Sequence, residues 1–289
     1  MKRLIYYFFF SLLFFGCSKN DKKEIDTPNK GEITIETDES FKSVTEALAE
    51  RYTAINPNTK INVVIKKEDL SYLDLLDNKV RVVVMSRELS PEEKKAFDKK
   101  IDLPWQPAKF AADAVLFVVP KDSHLESISM QQIYNELLSD NKKIIFDGTN
   151  SSNLNFVAQK FNKKPSDLKF SIISGNENLA EQLKNYPDKI GVISSNTISR
   201  PFGAEAEKLR SRLKVLKIVD NNKTYEASLE NLKTMTYPFT RVLYFLTNEP
   251  YYGLGNGFIR FSCTQLGQII VDKEGLQPYN IYKREVQMH

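Results

Sequence analysis

Three short polar loops contain most of the side chains in this sequence that could do chemistry. They are residues 37–41, 85–87 and 149–153, and each lies at or just before the expected start of a helix. The unpaired N–H groups of a helix start attract an anion, and hydroxyl and guanidinium groups are further anion donors. If the loops converge, they form a small oxyanion site made of serines, amides and one arginine, Arg87.

Each loop also has a purely structural interpretation. Ser, Asp and Asn are the preferred N-cap residues, so a helix cap by itself explains a serine at a helix start. Arg87 has an alternative as one half of a surface ion pair with Glu88 or Glu92. The functional interpretation therefore depends on all three loops together.

The sequence offers little for catalysis or metal binding. Its two histidines, His124 and His289, have no Cys, His or acidic cluster at metal-ligand spacing. There is no Gly-x-Ser-x-Gly elbow, and the glycines in residues 253–257 fit neither a phosphate-binding loop nor a dinucleotide fingerprint; we expect them to shape a turn. The sequence therefore predicts a protein that is not an enzyme and that needs no metal or cofactor.

The first residues indicate the compartment. A basic start, Met1-Lys2-Arg3, is followed by an apolar core at residues 4–15 that is too short to span a membrane. Gly16-Cys17 resembles the processing site of bacterial lipoproteins, which predicts a signal peptide at 1–16, lipidation of Cys17 and a polar tether at 17–30. An uncleaved apolar anchor is the alternative.

Composition is that of an ordinary globular protein, with 41% hydrophobic and 27% charged residues. The formal charge is +4, and removal of Lys2 and Arg3 with the leader leaves 39 basic against 37 acidic residues. Such a balance predicts no nucleic-acid partner. Cys263 would then be the remaining cysteine, and its apolar surroundings predict a buried hydrophobe.

Strand and helix patterns alternate along the body of the chain. Strands are expected at 33–35, 61–65, 80–84, 114–119, 143–146, 216–219, 241–247 and 279–286. Helices are expected at 42–55, 72–76, 91–101, 129–138, from the third loop to about Lys160 and, as one long helix, 258–271. Ser90 with Glu93 is a capping box that fixes one helix start. The alternation predicts an α/β layered fold that binds ligands beyond the carboxyl ends of its strands.

Several motifs, in order along the chain, resemble landmarks of the Pst-type phosphate-binding proteins. The motifs are Glu39-Ser40-Phe41, Ser86-Arg87-Glu88-Leu89, Ala111-Ala112-Asp113-Ala114-Val115, Asn150-Ser151-Ser152-Asn153, Lys189-Ile190-Gly191-Val192-Ile193, Tyr237-Pro238-Phe239-Thr240-Arg241-Val242-Leu243-Tyr244 and Gly267-Gln268-Ile269-Ile270 with Gly275-Leu276-Gln277-Pro278-Tyr279. The resemblance covers nearly the whole chain from about Gly31.

This resemblance implies an α/β type II periplasmic-binding-protein fold, in which two α/β lobes are joined by two crossing strands. Lobe 1 would be residues 31–110 plus 237–289, and lobe 2 would be 111–236. An anion would bind in the cleft between them. Its ligand-binding residues, carried over by motif, are Ser40, Phe41, Ser86, Arg87, Ser151, Ser152 and Asn153.

The sequence also departs from the family pattern. Arg87 stands where many members have an Asp that accepts a proton from phosphate, as in a branch that reads Ser-Arg. Asp147 takes the approximate place of an Arg, and Ser-Ser-Asn replaces Ser-Gly-Thr. These departures leave the anion open between phosphate and a similar oxyanion.

The resulting expectation is a monomeric, extracytoplasmic solute-binding lipoprotein. It would be lipid-anchored to a bacterial membrane, periplasmic or on the cell surface, and would deliver its anion to the permease of an ABC importer. One alternative is a diverged surface lipoprotein of the same fold that binds a peptide, glycan or protein. The other alternative is an extracytoplasmic hydrolase.

Overall fold

A computed structural model describes residues 26–280 of the 289-residue chain. The predicted signal peptide, the lipidation site Cys17 and most of the tether lie outside the described residues. So does the strand expected at 279–286 beyond its first two residues.

The described chain alternates strands and helices. The strands are β1 (Gly31–Thr37), β2 (Thr59–Ile65), β3 (Val82–Met85), β4 (Ala108–Pro120), β5 (Ser127–Ser129), β6 (Ile144–Phe146), β7 (Ser171–Ile172), β8 (Ile190–Ser194), β9 (Leu213–Val215), β10 (Lys217–Asp220), β11 (Lys223–Tyr225), β12 (Thr240–Thr247) and β13 (Gln277–Pro278). The α-helices are α1 (Lys42–Ile55), α2 (Glu68–Leu76), α3 (Pro91–Lys100), α4 (Met130–Leu138), α5 (Ser152–Lys160), α6 (Asn176–Gln182), α7 (Ala204–Arg212), α8 (Leu229–Lys233), α9 (Leu254–Ser262) and α10 (Gln265–Lys273).

The main sheet has two parallel flanks joined by antiparallel strands. Its order is β2-β1-β3-β12-β4-β8-β6-β7. β1 pairs in parallel with β2 and β3, and β6 pairs in parallel with β7 and β8. Between these flanks, β12 runs antiparallel to β3 and β4, and the long β4 continues into antiparallel pairing with β8. The two crossing strands expected for the fold are therefore β4 and β12.

Hydrophobic side chains form separate cores on the two sides of these crossing strands. One core, which we call that of the second lobe, draws its buried residues from Ala114 to Phe239. Two neighbouring cores make up the first lobe, with residues from Ile33 to Ala111 and from Leu243 to Leu276. Together with the sheet order, this arrangement confirms an α/β fold of two lobes.

Local signals placed several elements correctly. Ser90 accepts the Glu93 N–H at 3.2 Å while the Glu93 carboxylate accepts the Ser90 N–H at 2.8 Å, so the predicted capping box begins α3. The helix at 42–55 has the bounds that were expected, and α5 begins directly after the third loop. β4 extends six residues before the expected start at Ala114, because its first half pairs with β12 in the first lobe.

The prediction of a single long helix at 258–271 is wrong. Two helices, α9 and α10, meet at Cys263 and Thr264. α9 begins at Leu254, so Gly253 is its N-cap, and Gly255 and Gly257, expected in a turn, lie in its first turns. The two helices pack closely after this break, since a Cβ on Gly267 would lie 2.4 Å from the Phe261 carbonyl oxygen. Cys263 is only partly buried at this junction, and burial raises its pKa to about 11.

Candidate functional site

The first and third loops meet where the two lobes touch. Ser40 follows β1 in the first lobe, and Ser152 begins α5 in the second lobe. The Ser152 hydroxyl donates to Ser40 Oγ at 2.9 Å, and the Asn176 side-chain amide donates to the same oxygen at 3.2 Å. Each of these residues is at most 1% exposed. The structure therefore brings the two predicted loops into direct contact, away from solvent.

A carboxylate occupies the helix starts at this contact. Asp38 caps the short 3₁₀ turn of residues 39–41, and its Oδ1 accepts the Ser40 N–H at 3.0 Å. Its Oδ2 accepts the Glu68 N–H at 3.1 Å and the Ser152 N–H at 3.2 Å. These last two N–H groups are the first of α2 and α5, the positions that favour negative charge. Sequence reasoning did not select Asp38.

The second loop is held by another carboxylate. Ser86 donates both its N–H and its hydroxyl to Oε1 of Glu68, at 2.7 and 2.8 Å. Burial raises the pKa of Glu68 to about 6, and the positive charge of Arg87 opposes that rise. The predicted donors of Ser86 thus bind a carboxylate of the chain.

Arg87 lies among acidic groups. Its guanidinium donates to both carboxylate oxygens of Glu93, at 2.8 and 2.7 Å, and to Asp69 at 2.7 Å. Its Nε lies 3.3 Å from Oε2 of the buried Glu68. Burial disfavours the charge of Arg87, but these carboxylates outweigh burial and raise its pKa. The network differs from the expected pair with Glu88 or Glu92, and the role of Arg87 in holding an anion stays a prediction.

In the third loop, two residues have clear structural tasks. Ser151 is the N-cap of α5 and accepts the Leu154 N–H at 3.4 Å, so the capping interpretation holds for this serine. The Asn153 side chain donates to Asp147 at 3.2 Å and to Asn176 at 2.9 Å. Both side chains are completely buried.

Asp147 is a second buried carboxyl group near Asp38. Lys67 reaches across from the first lobe and donates to its Oδ2 at 2.8 Å and to its backbone oxygen at 3.0 Å. Burial raises the pKa of Asp147, the negative charge of Asp38 raises it further, and Lys67 opposes both. This ion pair ties the lobes together at the place where the family resemblance expected an arginine.

Phe41 contributes its ring. Its N–H donates to the backbone oxygen of Asp38 at 2.9 Å, which closes the 3₁₀ turn. The ring packs against the guanidinium of Arg241, with Cζ 4.6 Å from the ring centroid. This cation–π contact stabilises a buried charge.

Arg241 is the positive charge that sequence reasoning missed. It lies on β12 directly opposite Asp113 on β4, and neither side chain is exposed. Its Nε donates to Asp113 Oδ2 at 2.8 Å, and its Nη2 donates to Asn153 Oδ1 at 2.9 Å. Its buried Nη1 has no hydrogen-bond partner among residues 26–280. A lone arginine within an apolar strand pattern is the signal that could have revealed it.

A cavity of about 340 Å³ opens between the lobes beside this cluster. Glu39, Lys42 and Ser43 line it from the first lobe, and Asn176, Asn196 and Arg200 line it from the second. The buried amide nitrogen of Asn196 has no hydrogen-bond partner in the part of the chain that the structure describes. Asn176 connects the cavity to the loop contact, since it lines the cavity and also donates to Ser40.

No set of three or more His, Cys, Asp or Glu side chains among residues 26–280 is arranged to hold a metal ion. No helix in that range combines the length and the apolar character required to cross a membrane.

A family model for the PBP superfamily domain matches residues 22–265. The chain belongs to this family. The chain is similar to the phosphate-binding protein PstS of Borreliella burgdorferi. The two are 22% identical over 298 residues, which cover 95% of this chain and 98% of that protein. This relative is named as a binding protein and not as an enzyme.

Solved structures share the PBP fold. A putative phosphate ABC transporter substrate-binding protein from Clostridium perfringens, with bound phosphate, has a TM-score of 0.70 at 19% identity and covers 86% of this chain and 99% of its own. An ABC-type phosphate transport receptor from Vibrio cholerae has a TM-score of 0.64 at 14% identity, and the match covers 85% of this chain and 99% of the receptor. At these identities the comparison shows the fold alone.

Proposed function

We propose that this chain is the solute-binding component of an ABC importer and captures phosphate, or a similar oxyanion, between its two lobes. It acts by binding and release, without catalysis. The proposed lobe bounds are 31–110 plus 237–289 and 111–236. The hydrophobic cores support them, since these draw on nearly the same ranges.

The observation that carries the proposal is the way the loop contact binds a carboxylate. Asp38 is held by N–H groups from the starts of three helical segments, two in the first lobe and one in the second. A carboxylate and a phosphate present similar oxygen acceptors, so these donors suit either. Arg241 adds a buried positive charge with an unused nitrogen. A dehydrated oxyanion needs this combination of fixed donors and charge.

One observation favours the second candidate function, a diverged surface protein that binds a peptide, glycan or protein. The predicted donors Ser40, Ser86 and Ser152 all bind groups of the chain itself. If those bonds never open, the site takes no anion, and the molecule uses another surface.

Titration calorimetry of the unloaded protein with phosphate, arsenate and sulfate tests the proposal. We expect one site per chain with micromolar or tighter affinity for at least one of these anions. No heat and no rise in thermal midpoint with any of them, for wild type and for Asp38→Ala alike, would refute the proposed function.

Ser152 offers a matched pair of variants that locates the anion. It is the first residue of α5, and Ser151 before it has φ −81° and ψ 151°, so proline fits there without breaking the helix. Ser152→Ala removes the hydroxyl, while Ser152→Pro removes the hydroxyl and the N–H. The pair is compared in the Asp38→Ala background, because in wild type the Asp38 carboxylate accepts this N–H in the unloaded protein. One N–H bond to an anion is worth about 1.5 to 3 kcal/mol, so in that background the proline variant should bind about 10-fold to 100-fold more weakly than the alanine variant. Equal affinities of the alanine and proline variants would show that the anion does not bind at the start of α5.

Anchoring and partners belong to the same proposal. We propose lipidation at Cys17, a periplasmic or cell-surface location, a monomeric state and a permease partner. Gly16-Cys17 at the end of the apolar leader supports the lipid anchor. Metabolic labelling with a palmitate analogue should mark wild type and leave Cys17→Ser unlabelled. Equal labelling would mean that another residue is modified.

A further inference from the structure

Asp38 accepts N–H groups from both lobes, as an anion bound in a closed cleft would. Its side chain is completely buried at the contact between the lobes. One oxygen, Oδ2, accepts from Glu68 in the first lobe at 3.1 Å and from Ser152 in the second at 3.2 Å. The carboxylate therefore joins two helix starts that belong to different lobes.

Other bonds across the contact accompany this one. Lys67 of the first lobe pairs with Asp147 of the second at 2.8 Å. Asn155 of α5 donates to Asp69 at 2.8 Å, and the Ser40 and Ser152 hydroxyls bond at 2.9 Å. The lobes are thus in contact with a carboxylate of the chain at the centre of the contact.

The charges around Asp38 oppose the addition of a second anion. Glu39, Glu68 and Asp147 are its acidic neighbours, and Lys67 is a positive charge near it, while Arg241 acts on Glu68. Burial raises the pKa of each of these three acids, and the negative charge of Asp38 raises each of them further. Like charges within a few ångströms in a dry site are unfavourable. An oxyanion beside an unmoved Asp38 would add to that repulsion.

We propose that Asp38 is a resident competitor for the oxyanion: its carboxylate occupies the N–H groups of Glu68 and Ser152 and holds the lobes together until a ligand displaces it. This inference rests on the proposed function. One residue, Asp38, then both lowers the affinity for the anion and keeps the lobes in contact in the unloaded protein. Displacement costs part of the binding free energy, because only the fraction of molecules with Asp38 withdrawn is competent to bind.

Two variants of Asp38 and one control test the inference. Asp38→Ala removes the competing carboxylate, and Asp38→Asn keeps the size but leaves one acceptor oxygen. The control is Asp167→Asn, an exposed carboxylate that accepts the Lys164 N–H at 3.0 Å in the second lobe. In phosphate titrations, Asp38→Ala should bind about 10-fold to 100-fold more tightly than wild type, Asp38→Asn should lie between them, and Asp167→Asn should match wild type.

X-ray scattering adds a readout that does not depend on the measured affinity. Wild type should keep the same radius of gyration when phosphate is added, because Asp38 already holds the lobes in contact. Unloaded Asp38→Ala should be larger and should contract on phosphate. A wild-type contraction as large as that of the variant, or affinity in both Asp38 variants at or below wild type, overturns the inference. If wild type binds phosphate in that case, the proposed function stands; if no protein binds, both fall.

Discussion

The buried pair of Arg241 and Asp113 gives the sharpest prediction about what holds the two lobes in register. The two side chains face each other across the crossing strands β12 and β4, and both are fully buried. Arg241→Met keeps an unbranched side chain and removes the charge. It leaves Asp113 with a buried negative charge and no cation within hydrogen-bond distance among the described residues.

Removal of one partner from a buried ion pair costs about 3 to 5 kcal/mol. Asp113 keeps three donors in the second lobe, the hydroxyls of Ser194 and Ser195 and the N–H of Asn196. These bonds stabilise the remaining carboxylate, so we expect a loss near the lower limit, about 3 kcal/mol. Asp113→Asn alone should also destabilise, since Arg241 then lacks its counter-ion.

Urea unfolding of the single variants and the double variant measures the coupling between the two charges. The double variant should be about 2 kcal/mol more stable than the sum of the single losses predicts, because it buries no unpaired charge. Arg260→Met, at an exposed arginine on α9, serves as the control and should change stability by less than about 0.5 kcal/mol. Additive single losses, or a loss under about 1 kcal/mol for Arg241→Met, would refute the reasoning.

Three further predictions concern stability. Arg87→Met should cost about 2 to 4 kcal/mol in urea unfolding, because its acidic partners lose their cation; unchanged stability would show that the network contributes nothing. The pKa of Glu68 rises on folding from its ordinary value near 4.5 to about 6, so stability should fall by about 2 kcal/mol as pH rises through that window. Glu68→Gln should remove this part of the pH dependence, while Glu205→Gln, at an exposed site, should not. Gly267→Ala should cost about 1 to 3 kcal/mol in thermal unfolding, since its Cβ meets backbone oxygens at the end of α9.

Local sequence patterns predicted much of the secondary structure. The capping box at Ser90 and the apolar run at 144–146 depend on neighbours within a few residues, which the sequence displays directly. The prediction of one long helix at 258–271 was wrong, because the apolar period continues across the junction at Cys263 and Thr264, after which Gly267 lets α10 pack closely on the end of α9. Apolar periodicity predicts which face of a helix is buried. It does not predict where one helix ends and the next begins.

By itself, the sequence determined the alternation of strands and helices, the family landmarks and the loops that meet at the cleft. The tertiary structure alone decided which groups those loops contact. Asp38 and Ser152 are 114 residues apart, and Asp113 and Arg241 are 128 residues apart. No local pattern encodes such pairings, because they arise when the crossing strands bring the lobes together. Arg87 and Arg241 both appeared in family motifs, and only the tertiary structure shows that carboxylates surround Arg87, whereas Arg241 is fully buried and bonds to residues of the second lobe.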